Sequence, residues 1–126
     1  MNDINAIAAW ACIAAGVFSG AASGLFFHDE RWLGGYGSWP RRMLRLGHIS
    51  FFGIGLLNLA YALTLHVIGW PAPPAGLSWA LAAAGALMPG VCYLAAWRMP
   101  LRRLFALPVG CVLLAVGGLL WWRIQS

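Results

Sequence analysis

Four long apolar runs decide what this chain can fold into. They cover residues 4–27, 43–68, 77–97 and 104–122, and they hold no Asp, Glu, Lys or Arg apart from Arg45 at the mouth of the second. A helix crossing the hydrocarbon core of a bilayer takes roughly 20 apolar residues. Within lipid the backbone must satisfy its own hydrogen bonds, which a helix does and an isolated strand does not. The runs and their short connections use up nearly all of the 126 residues, leaving no room for a soluble catalytic domain. Composition agrees: 9% of residues are charged, against about a quarter in soluble domains. The expected fold is therefore an all-α integral membrane four-helix bundle forming a single domain over residues 1–126. The N-terminus lacks the basic n-region of a cleaved signal peptide, and the first run is too long for an h-region, so it is read as a retained span.

The basic residues set an orientation. All eight are arginine, and they give a formal net charge of +5. Arg31, Arg41, Arg42 and Arg45 follow the first run and Arg98, Arg102 and Arg103 follow the third, whereas the second connector, GWPAPPAGLS, has none and the tail only Arg123. Basic residues in short loops stay on the cytoplasmic side. The N- and C-termini are accordingly expected on the outer (periplasmic) side, with the acidic Asp3 consistent with that, in the inner membrane of a bacterium. Arginines confined to short loops mark topology, and no nucleic-acid partner is expected. Tryptophan offers an independent check. Trp32, Trp39 and Trp97 fall near inner boundaries and Trp70, Trp79, Trp121 and Trp122 near outer ones, the headgroup levels that amphipathic indoles prefer.

Several chemistries lack their residues. Small four-helix multidrug transporters have this size but need a membrane-embedded glutamate. Disulfide-forming membrane oxidoreductases need cysteine pairs, whereas Cys12, Cys92 and Cys111 are scattered within the runs and read as small apolar core residues. No CxxC is present for zinc or c-type haem, and the Ser/His or HExxH sets of membrane proteases cannot be assembled. Three adjacent side chains such as His28, Asp29 and Glu30 rarely converge on one ion, so no metal site is expected.

Histidine carries what remains. His48 follows Arg41, Arg42 and Arg45, whose guanidinium groups are expected to meet lipid headgroups. Its expected role is an inner-surface hydrogen bond fixing the entry of the second helix, to the first loop, a lipid phosphate or a polar ligand. His66 lies 18 residues further on, five helical turns and about 27 Å away on the same face. Gly55 and Ala62 share that face and leave room for a flat ligand. Two stacked haems need closer ligands, but one haem b held by His48 and His28, or a quinone at His48, is an alternative. Asn58, deep in the second run, is expected to bond across to a neighbouring helix.

The first run also carries Gly16, Gly20 and Gly24, one turn apart on one face, beside Ser19 and Ser23. Lipid gives helices no hydrophobic drive to associate, so small residues mark close contacts. The stripe suits packing within the bundle or the docking of a partner helix. Pro89 and Pro108 are expected to bend the third and fourth helices. By elimination, the expected role is a non-catalytic subunit or accessory protein with no cofactor, packed against other membrane-protein subunits and lipid in a larger, respiratory or photosynthetic complex. The alternatives are a redox subunit with haem or quinone, and a small transporter or channel, whose internal repeat is not evident here.

Overall fold

A computed structural model describes residues 4–126; Asp3, used above for orientation, lies outside them. Four helices follow one another up and down: α1 (Ile4–Phe27), α2 (Trp39–His66), α3 (Ala75–Trp97) and α4 (Ala106–Gln125). All four are long and apolar enough to cross a membrane, the last together with the turn that leads into it, and no strand is present among the described residues.

Helix α2 starts four residues before the expected boundary at residue 43. The charged residues Arg41 and Arg42 look like loop, yet Ser38 is an N-cap: its hydroxyl accepts from Arg41 N and donates to Leu33 O. Pro40 follows in the first turn, where a missing N–H costs nothing. The loop before it, containing a short 3₁₀ turn Trp32–Gly34, closes sharply through left-handed Leu33, Gly34 and Gly35 at φ of 53°, 86° and 98°. Helix α2 stops at His66, two residues short of the expected end, and Gly69 (φ 77°) turns the chain so that Trp70 N bonds back to Thr64 O.

The fourth run divides. Residues Met99–Phe105 form a 3₁₀ turn, and α4 begins only at Ala106. Pro108 thus sits in the first turn of α4 rather than in the middle of a helix, so the expected mid-helix bend there has no cause. Pro89 does lie inside α3, where it denies the Gly85 carbonyl its helical donor.

Helices α1, α2 and α3 pack against one another, and α4 lies along α3. The seams are built on glycine. A Cβ on Gly16 would stand 2.8 Å from the Phe52 ring, and one on Gly20 2.5 Å from His48 Cε1. A Cβ on Gly55 would meet Ala9 O at 3.2 Å and Cys12 Cβ at 3.1 Å, and one on Gly85 Cys12 Sγ at 2.6 Å. Gly47 receives Tyr93 and Cys92, and Gly118 receives Leu77. Backbones approach closely enough to gain van der Waals contact that bulky side chains would forbid. Tyr61, Leu81 and Ala115 bring α2, α3 and α4 together, flanked by Leu65, Leu77, Ala80, Val112 and Leu119.

Candidate functional site

The antiparallel pairing of α1 and α2 fixes where each histidine falls. His48 lies level with Ser19 and Gly20 of α1. Its Nδ1 is 3.1 Å from Ser19 Oγ, and its ring packs edge-on against Phe52 at 5.3 Å. The Ser19 hydroxyl also lies 3.0 Å from Gly16 O, so Ser19 links the His48 imidazole to the backbone of α1. The expected hydrogen bond at the entry of α2 thus goes to the neighbouring helix. The first loop is not its partner.

His28 ends up elsewhere. It is exposed, just past the last residue of α1. Nine residues separate it from Ser19, about 13 Å along the helix axis, so the structure does not bring His28 and His48 to one centre. His66 is exposed at the far end of α2 and lines a cleft of about 390 Å³ with Leu65, Trp70, Ala72, Pro73 and Ser78. The space expected at Gly55 and Ala62 for a flat ligand is filled: Ala9, Cys12 and Ile13 of α1 close over Gly55, and Ala62 is buried. Among the described residues no group of three or more His, Cys, Asp or Glu is placed to hold a metal ion.

The glycine stripe serves the bundle at two of its three positions. Gly16 and Gly20 receive Phe52 and His48, whereas Gly24 faces open space. Docking of a partner helix against Gly16 and Gly20 would require displacing α2.

The arginines divide in the same way. Arg41, expected at the headgroups, is 1% exposed. It caps the end of α1: Nη2 donates to Phe27 O at 3.1 Å, and Nη1 to Asp29 O at 3.1 Å and Trp32 O at 3.4 Å. Its guanidinium lies over the Phe27 ring at 4.8 Å, with Trp32 and Tyr36 further out. The negative end of the α1 dipole and these carbonyls stand in for a carboxylate. Only Nε is left without a partner. The first loop folds its carbonyls around the guanidinium and so withdraws it from the headgroups. Arg45 is half-buried and donates to Tyr36 O at 2.9 Å over the Tyr36 ring, and Arg42 is exposed beside Trp39.

A buried polar chain, anticipated only at Asn58, ties the first three helices near the opposite end. Asn58, 0% exposed, donates from Nδ2 to Ile54 O and Leu81 O and accepts at Oδ1 from Asn5 at 2.8 Å. Asn5 donates again to Ser78 O, and Ser78 Oγ reaches the Tyr61 hydroxyl at 3.5 Å. Both amide groups spend every N–H they have. Asn5 is one polar residue in an apolar helix, and its signal in the sequence is that it and Asn58 are the only two asparagines in the spans.

Fold and surface together define an integral membrane protein of four helices with its interior polar groups bonded to one another. Comparison with known protein families, curated proteins and solved structures finds no match for this chain.

Proposed function

We propose that this protein is a small non-catalytic subunit or accessory protein of a larger complex in the bacterial inner membrane, with both termini on the outer side. The observation that carries the reading is the free face of α4. This helix buries only Pro108 and Ala115. On its other side Gly110 and Gly117, two turns apart, have nothing within reach of an added Cβ, and Leu113, Leu120 and Ile124 stand exposed beside them. Close-packed seams elsewhere in the chain use glycine in this way, and α4 offers one more without a partner among the described residues. The interior adds support, because the buried amides and His48 are committed to helix–helix bonds. The orientation rests on charge: Arg31, Arg41, Arg42, Arg45, Arg98, Arg102 and Arg103 lie at the end holding both 3₁₀ turns, and Arg123 lies at the other.

The test is native electrophoresis of the tagged chain after gentle detergent extraction, beside a Gly110→Leu/Gly117→Leu variant. The expected result is a discrete assembly larger than the chain alone that the double variant loses while keeping its helix content. A wild-type chain that migrates as a monomer, or an assembly indifferent to the substitutions, would refute the reading. A Soret band in the purified chain would replace it with the haem alternative.

A further inference from the structure

The arginines at the end holding both 3₁₀ turns fall into two groups by what their hydrogen-bond donors do. Arg41 and Arg45 donate to backbone carbonyls at the end of α1 and in the first loop. Arg31, Arg42, Arg98, Arg102 and Arg103 are exposed, and none of their guanidinium groups donates to the protein among the described residues. Nor does any carboxylate there neutralise them; Asp29 accepts from the backbone of Arg31.

Two of the open arginines are braced. The Arg42 guanidinium lies over the Trp39 ring at 5.7 Å and that of Arg98 over Trp97 at 4.8 Å. A guanidinium stacked on an indole keeps its in-plane N–H groups free and is partly ordered in advance. The two are brought to one seam by the Trp39 indole, whose Nε1 donates to Ala95 O at 2.6 Å. Arg42 follows Trp39 by one turn of α2, and Arg98 follows Ala95 by one turn at the end of α3. The turn Met99–Phe105 then carries Arg102 and Arg103 away from the same point, with Leu101 and Phe105 turned partly inward. Exposed Leu94, Trp97 and Leu104 border the arginines with apolar surface.

We propose that Arg42 and Arg98 form a binding site for the phosphate of an anionic phospholipid at the seam between α2 and the end of α3, with Arg102 and Arg103 adding positive charge on the turn that follows. Charge selects an anion, and the planar guanidinium edges match phosphate oxygens. The apolar border selects one that carries acyl chains, and basic pockets between spanning helices hold such headgroups.

Native mass spectrometry of the full chain in detergent micelles tests this, with phosphatidylglycerol, phosphatidylcholine and sodium phosphate titrated separately. Phosphatidylglycerol should give a saturable one-lipid adduct that phosphatidylcholine does not. Each arginine near an anionic surface is worth about fivefold in binding, so Arg42→Gln/Arg98→Gln should weaken the adduct roughly 25-fold. The control Arg31→Gln/Arg123→Gln, which removes the same charge from exposed positions outside the seam, one at the same end and one at the other, should leave it unchanged. Equal weakening by the control would show diffuse attraction and overturn the site, as would an adduct unaffected by Arg42→Gln/Arg98→Gln. Saturation by sodium phosphate as tight as by phosphatidylglycerol would overturn the lipid assignment. Far-UV circular dichroism accompanies each variant. If the double variant loses helix content, Arg98→Gln alone serves, with fivefold weakening expected and none overturning the proposal.

Discussion

Asn58→Leu should cost this bundle more than its size suggests. The substitution keeps the volume but deletes two bonds that cross helices, one to Leu81 O and one from Asn5. Interhelical hydrogen bonds in membranes average about 0.6 kcal/mol, so the pair is worth about 1.2 kcal/mol. The carbonyls of Leu81 and Ile54 keep their own helical donors and are not stranded. Asn5 is. It is 3% exposed and would retain only Ser78 O, leaving one amide hydrogen unpaired at about 1–3 kcal/mol. The expected loss is therefore about 2–4 kcal/mol. Asn5→Leu/Asn58→Leu removes both partners and should cost less than the sum of the two single changes by about 1–2 kcal/mol. Asn58→Asp should be worse than leucine, because it aims an oxygen at two carbonyl oxygens where an amide hydrogen stood. The measurement is reversible unfolding in mixed micelles against a rising mole fraction of sodium dodecyl sulfate, followed by far-UV circular dichroism. A loss below about 0.5 kcal/mol for Asn58→Leu, or strict additivity in the double variant, would refute the claim that this chain of amides holds α1 to α2 and α3.

Arg41→Met should release the first loop at a cost of about 2–4 kcal/mol, seen as faster hydrogen exchange over residues 28–37; Arg41→Lys should recover only part, since one ammonium cannot both stack and reach three carbonyls. Gly20→Ala should destabilise by about 1–3 kcal/mol because its Cβ displaces the His48 ring from Ser19, and the penalty should largely vanish in a His48→Ala background; an equal penalty in both backgrounds would show that His48 is not what the glycine accommodates. For orientation, an impermeant maleimide should label Ala72→Cys in intact cells and Glu30→Cys only after lysis. The reverse pattern would invert the topology.

What could be read in advance separates along a physical line. Span existence depends on the apolarity of a single segment, so all four helices were legible, and α1 matches its expected limits. The start of α2 differs from the expected one because the charges of Arg41 and Arg42 resemble a loop, although Ser38 and Pro40 spell a helix start. Facts that belong to pairs of segments were legible only in part: Asn58 announced a bond to a neighbouring helix but not which groups it would meet. Nothing in the order of residues says that Phe27, Asp29 and Trp32 will turn their carbonyls onto Arg41. That depends on left-handed backbone at Leu33, Gly34 and Gly35. The same limit explains Gly55. A glycine in a span reports only that its own side chain is missing, and a flat cofactor or a second helix fills that space equally well. Which of them does so is set by register. The pairing that puts Ser19 against His48 necessarily puts Ala9 and Cys12 against Gly55 and Asn5 against Asn58. Removing α1 from Gly55 to admit a ring would break the other contacts with it, so the face that looked open for a ligand is closed by the contacts that define the fold.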